Sequence, residues 1–215
     1  MSGASAGGCA EVLEFWFADT AHADPQTVAR RFEWWFRGGA DAAILRRFTA
    51  LHARAVAGEL AAWADEPLSR LALIVVLDQF SRTIHRGTPG AFAQDPRALA
   101  LAEDGIARGH YAALATPWQR TFFLMPLGHA EDVAHLEHAV ALAEELASNA
   151  DAPFRPLLEH SASQARGHRD VVARFGRQPH RNAVLGRAST PDELAYLADG
   201  KLVHERALPA ALAGK

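Results

Sequence analysis

Asp78, Arg82 and His85 stand at i, i+4 and i+7, so a helix through them carries all three on one face. Gln79 and Arg86 repeat the seven-residue step on the adjacent stripe. An acid four residues ahead of an arginine supports an isolated helix by only about 0.2–0.5 kcal/mol. Once such a pair is buried, its desolvation cost outweighs that gain, so stability alone is a poor reason to place it there. Two readings stand side by side. Asp78–Arg82 is a structural ion pair tying its helix to a neighbour, or it supplies the acid and cation of a site.

A second cluster, Gly128-His129-Ala130-Glu131-Asp132, reads as the start of a helix. Acids in a first turn complement the helix dipole and cap it. His129 beside them, oriented by one of them, is a candidate general base or acid. Glu131, His135 and His138 share a helix face, but they do not form HExxH and no cysteine completes a ligand set, so this is a solvated face rather than a metal site. The third cluster is RFGRQPHRN, where Arg174, Arg177, His180, Arg181 and Asn182 crowd the residues around Gly176 and Pro179. So many cationic groups repel one another unless carboxylates or an anion sit among them. Asp78, Glu131 and Asp132 are the available carboxylates; a phosphate or carboxylate ligand is the alternative.

Together the clusters describe a polar pocket for a small anionic metabolite. Arg82, Arg86, Arg177 and Arg181 hold the anion, Asp78 and His129 orient it or exchange protons with it, and Gln79, Glu131, Asp132, Arg174, His180 and Asn182 complete the lining. Whether such a pocket binds or also transforms its ligand stays open at this level, because a positioned acid and base is necessary for proton transfer and not sufficient. No Gly-rich phosphate loop, nucleophile elbow or CxxC pair is present, and neither a cofactor nor a metal is expected.

The elements that must position these groups are helices. Apolar residues recur at helical spacing, with alanine and leucine dominant and strand-like alternation scarce. Val12–Phe17 reads as a short aromatic helix. Pro25 opens a second, with Val28, Phe32, Trp35 and Phe36 on one face, and Asp41 caps a third through Val56. Pro67 opens the helix that holds LALIVVLDQFSRTIHRG, apolar all round near its middle and so expected at the centre of the fold. Further helices are expected from Asp95 to Ile106, Pro117 to Leu124, Glu131 to Leu146, Leu157 to Phe175 and, after a capped start at Thr190-Pro191, Leu194 to Leu197. Short connections pack successive helices as antiparallel pairs. The expected fold is one all-α domain over residues 1–215: stacked antiparallel hairpins around a central hydrophobic helix, with residues 1–8 a flexible tail.

The chain has 215 residues, 22 Lys plus Arg against 25 Asp plus Glu, and a formal net charge of −3, which gives no bulk attraction to nucleic acid or anionic membranes. Lys201 and Lys215 are its only lysines and Cys9 its only cysteine, which excludes an internal disulfide. The residues before Cys9 lack the basic and apolar regions of a signal peptide, and no apolar run approaches a membrane span. A cytoplasmic protein is the expectation.

Six segments carry a resemblance: VLEFWF, the Trp34-Trp35 pair, LDQFSR, RGTPGAFAQDPRALALA, FFLMPLGHAED and RFGRQPHRNAVLGRAST. Through them the chain, from about Val12 to Leu197, resembles the bacterial family catalogued as domain of unknown function 924. That resemblance implies a fold similar to the tetratricopeptide-like helical superfamily, and it implies no reaction. Asp78, Gln79, Arg82, Arg86, His129, Glu131, Asp132, Arg174, Arg177, His180, Arg181 and Asn182 match the family pattern. Ser81, Thr83, Gly128 and Ala130 depart from it. The alternative function for such a fold is a scaffold whose concave face takes a peptide or protein partner.

Overall fold

The computed structural model describes residues 3–18, 20, 24–206 and 208, the first five by backbone alone. Its elements are α1 (Gly3–Phe17), α2 (Pro25–Phe36), α3 (Asp41–Arg47), α4 (Thr49–Val56), α5 (Pro67–Ile74), a π-helical turn (Val75–Phe80), α6 (Ser81–Ile84), α7 (Asp95–Ala107), α8 (Pro117–His129), α9 (Val133–Ser148), α10 (Arg155–Phe175) and α11 (Pro191–Ala198). Short 3-10 turns join them, including Pro179–Arg181 and Val203–Glu205. No strand occurs among the described residues, and none of their helices is long and apolar enough to cross a membrane.

Local chemistry sets the helix ends. Asp24 accepts from the backbone of Gln26 and Thr27 to start α2. Thr116 with Gln119, and Thr190 with Glu193, form reciprocal capping boxes ahead of Pro117 and Pro191. Gly176 ends α10 at φ +70°, a left-handed conformation that costs glycine nothing.

Helix α5 and the π turn run through the middle of the molecule. Every residue from Leu71 to Leu77 is at most 1% exposed, as an all-round apolar helix requires. At roughly 1.5–3 kcal/mol for each large apolar side chain buried, this run is a main source of stability. Helices α1, α7 and α8 pack against α5, and α9 and α10 form a closely packed pair whose short connection makes them antiparallel. Gly105 lets α7 approach: a Cβ there would stand 2.5 Å from the Phe123 ring and 2.7 Å from Arg70.

Several local expectations change. Backbone placement begins α1 at Gly3, and Gly8 lies against Trp63 and Leu51, in the stretch where a tail is expected. Asp41 is the first residue of α3 rather than its cap, because Ala40 occupies that position, and Phe48 breaks the third helix into α3 and α4 with φ −118° and ψ 0°. Phe48 is 1% exposed, so burying its ring takes precedence over helix continuity. The eighth helix runs past Leu124 to His129 with Pro126 inside it. Proline forfeits a helical hydrogen bond, yet its buried ring belongs to the face that meets the core. Phe36, expected on the buried face of α2, is half-exposed.

Candidate functional site

Asp78 lies within the π turn, a widened helical turn of a kind frequent at functional sites. It is 1% exposed, and its carboxylate collects three neighbours. Arg82 Nη1 stands 3.2 Å from Oδ1, Gln79 Nε2 donates to Oδ2 at 2.5 Å, and His129 Nδ1 meets Oδ1 at 2.7 Å. Burial opposes ionisation of Asp78, but Arg82 and His129 overcome it and hold the carboxyl well below the usual carboxylate range. An ionised Asp78 only accepts hydrogen bonds, so His129 Nδ1 carries a hydrogen and donates it.

His129 is the last residue of α8, not the opening of the next helix, and Asp78 orients it rather than Glu131 or Asp132. The reason is the extension of α8 by one turn past Leu124, which brings the ring over the π turn. Its side chain is 17% exposed, and Nε2 has no hydrogen-bond partner among the described residues. In the neutral ring that nitrogen carries the lone pair.

Arg82 bridges two carboxylates. Beyond Asp78 it makes a bidentate fork with Asp95, Nη1 to Oδ1 at 3.0 Å and Nη2 to Oδ2 at 3.1 Å. Burial works against its charge, but Asp78 and Asp95 raise its pKa. Arg181, in the turn Pro179–Arg181, reaches the same Asp95 through Nη1 at 3.3 Å. Both guanidiniums lie against the Phe92 ring, at 5.8 Å for Arg82 and 4.8 Å for Arg181. Asp78, Arg82, His129 and Arg181 thus form one neighbourhood.

Histidines wall this neighbourhood. Burial, followed by His129, His204 and Arg181, pushes His168 down to about 3. Burial, then His204 and Arg181, pushes His180 down to about 2. Both rings are therefore neutral at ordinary pH. The His180 and His204 rings face each other with centroids 4.0 Å apart.

Glu131 accepts Arg187 in a fork at 2.6 and 2.9 Å and takes the Gln178 backbone N–H at 2.8 Å. Arg187 also donates to the Asn182 side chain, which is fully buried and donates to Ser189 at 3.0 Å. Glu131 and Asn182 consequently fix the loop that carries Arg181.

The other expected members lie elsewhere. Arg86 turns to Asp41 at 2.8 Å on the surface. Arg177 forks onto buried Glu193 at 2.6 and 2.8 Å, and Arg174 is exposed beside Phe175. Those two line a separate groove of about 380 Å³ with Thr190 and Asp192. Asp132 caps α9 through the His135 N–H at 3.1 Å. His135 pairs with Asp132 and Glu103, and no group of side chains able to hold a metal occurs among the described residues.

Sequence reasoning omitted Asp95, Phe92, His168, His204 and Arg187 from the site. Asp95 and Phe92 sit in a quoted motif, AFAQDP, and Arg187 in another, VLGRAST, so the pattern held a signal for them. His168 and His204 are single histidines in unremarkable surroundings, and only packing reveals them.

The model of a family described as "Bacterial protein of unknown function (DUF924)" matches residues 12–201. No curated protein sequence matches the chain. A solved protein of unknown function from Agrobacterium tumefaciens is 34% identical and similar in fold with a TM-score of 0.69, over 91% of this chain and 99% of that one.

Proposed function

The chain belongs to this bacterial family of unknown function, and from that premise we propose that it is a small-molecule protein whose site exchanges a proton with an anionic metabolite through His129. The observation that carries the reading is the Asp78–His129 pair at 2.7 Å, buried on the Asp78 side and open at Nε2. A carboxylate behind one ring nitrogen fixes the tautomer and orientation of the ring and stabilises the imidazolium that forms when the other nitrogen takes a proton. Arg82 is held between Asp78 and Asp95, and Arg181, whose Nη1 alone reaches a carboxylate, is the second cation of this neighbourhood that an anion would meet. Asp78 and His129 handle the proton, Arg82 and Arg181 the negative charge, and Gln79, Glu131, His180 and Asn182 hold the walls.

A screen of small anions by thermal shift tests this reading. A ligand at about 100 times its dissociation constant raises unfolding free energy by about 2.7 kcal/mol. The expected result is a saturable rise for the wild type that His129→Gln and Arg82→Gln reduce. No response to any phosphate or carboxylate refutes it.

A second reading, a scaffold of tetratricopeptide-like hairpins for a peptide partner, draws support from an open groove of about 410 Å³ between α9 and α10. Arg166 and Glu144 pair within that groove at 2.7 Å. Retention of a peptide that Arg166→Ala abolishes, with no response to small anions, would favour it.

A further inference from the structure

The chain that follows α11 returns to the wall of the site. Its turn Val203–Glu205 packs on α10, and the His204 ring faces His180 with centroids 4.0 Å apart. The His204 side chain is 38% exposed, so it forms the outer layer over His180. His180 stands in the turn Pro179–Arg181, next to Arg181.

The hold on this segment is thin. Val203 is the one buried side chain among residues 199–206. It fits against α10 because Gly167 lies there; a Cβ on Gly167 would stand 2.9 Å from Val203 Cγ1. Arg37 Nη2 donates to the Glu205 carbonyl at 3.1 Å, and Gln164 Nε2 to the Arg206 carbonyl at 3.4 Å. Upstream, α11 ends at Ala198; downstream, Leu208 is buried in the main core. The turn is therefore a strap tethered at both ends. A segment with so few buried contacts opens locally at far less free energy than global unfolding needs.

Protons act on the strap with one sign. Two imidazolium rings facing at 4.0 Å repel each other. The carboxylate paired with this couple is Glu205, 3.9 Å from His204 Nε2. Glu205 lies on the same turn and moves with it, so its attraction does not tie His204 to the fold. The groups facing the strap from other elements are cationic or neutral: Arg181 beside His180, His168 on α10, and His129 of α8 behind them. Arg37 of α2 and His160 of α10 face the neighbouring Glu205 and Arg206. Burial lowers the pKa of His204; Glu205 opposes that and Arg181 adds to it. A ring whose pKa is lowered in the closed state favours closure above its ordinary value of 6.5 and loses that contribution as pH falls. Each ring that regains its ordinary value on release shifts the open-to-closed ratio by up to about tenfold per pH unit.

We propose that residues 202–206 form an acid-released strap over the His180 side of the site. At neutral pH the uncharged His204 ring lies on His180. Protonation lifts Val203 and His204 from α10, while α11 and Leu208 hold the two ends. Release uncovers the turn that carries Arg181. Control of ligand access by the strap rests on the anion reading above; the release itself does not.

The test follows the Val203 methyl groups by ¹H–¹³C NMR from pH 8 to pH 5, with the His204 ring and the Leu77 methyl groups recorded in the same samples. The expected result is that Val203 moves toward solvent-exposed shifts in step with the titration of His204, while Leu77 keeps its buried shifts. His204→Phe keeps a ring on His180 and takes up no proton, so its Val203 midpoint falls by about one pH unit or more. Val203 shifts that stay fixed while His204 titrates overturn the proposal. So does a joint loss of the Val203 and Leu77 signals, which is global unfolding, and so does an unaltered midpoint in His204→Phe. The wild-type readouts stand if that variant does not fold. No anion enters these measurements, so their failure leaves the anion reading intact, and the failure of that reading leaves the strap intact.

Discussion

Two buried regions of this protein are built on opposite principles. Where α1, α2 and α8 meet, Trp16, Trp35, Phe80 and Phe122 pack edge to face, with the Trp35 and Phe122 centroids 4.7 Å apart. Direction comes from the Trp16 carbonyl, which accepts from Trp35 Nε1 at 2.8 Å and from Arg31 Nη2 at 3.2 Å. Beside the π turn, Asp78, Arg82, Asp95 and Arg181 are also largely buried, yet each depends on the charge of another. Apolar burial is non-directional and tolerates a reshaped neighbour. A buried charge network tolerates almost no change of charge even when shape is kept. The first region belongs to the same apolar core as the Leu71–Leu77 run, whose burial stabilises the fold, whereas the second is costly to desolvate.

The sharpest way to break that contrast is Asp78→Asn, which keeps shape and removes charge. Arg82 and His129 lose their shared counter-charge, and we expect a loss of about 3–5 kcal/mol in urea unfolding. A loss below about 1 kcal/mol would show that the network is not held by charge.

Acid provides the next effect. His168 and His180 have folded pKa values near 3 and 2, below the unfolded value of 6.5. Between those limits the unfolded chain binds more protons than the native one, so stability rises with pH. The contribution is complete above pH 6.5 and is lost as pH falls below it, by at most about 1.4 kcal/mol per histidine per pH unit. Asp78 and Glu131, whose pKa values are lowered, keep their contributions until pH falls below about 4. Unfolding free energy measured from pH 7 to pH 4.5 should therefore decline, and His168→Gln should flatten the decline. A flat wild-type profile would contradict the burial of neutral rings.

In the apolar region a shape change of similar size should cost less. Ile74→Leu, at a fully buried position of α5, is expected to cost under about 1.5 kcal/mol by the same urea measurement. A cost equal to that of Asp78→Asn would erase the distinction between the regions. The smallest effect belongs to Arg86→Ala. Its surface pair with Asp41 contributes about 0–1 kcal/mol, and anion binding should be unchanged, which separates Arg86 from the site to which sequence spacing assigns it.

The helical class, the central Leu71–Leu77 run and the ends at Thr190, Pro191 and Gly176 were legible because each rests on local chemistry: periodicity, a cap or a left-handed glycine. The π turn at Val75–Phe80, the break at Phe48 and the passage of α8 through Pro126 were not, since each follows from what tertiary packing demands of one side chain. The site divides in the same way. Asp78 and Arg82 were legible as an i, i+4 pair, and His129 and Arg181 as members of dense polar clusters. The role of Asp95 was hidden because a first-turn acid already has a local reason to be present. Arg177 misled for the complementary reason: its partner, Glu193, also serves as the third residue of a capping box. Spacing shows which groups share a face, and the choice of partner across the fold decides which of them meet.

The central claim is that His129 is held at Nδ1 by Asp78 and presents Nε2 to an anionic ligand. Long-range ¹H–¹⁵N spectra of the His129 ring, recorded through an anion titration at neutral pH, test it most directly. With Asp78 accepting from Nδ1, the hydrogen stays on Nδ1 throughout and the Nε2 resonance moves saturably as the anion binds. A hydrogen fixed on Nε2 instead, or a ring that no phosphate or carboxylate moves, would contradict it.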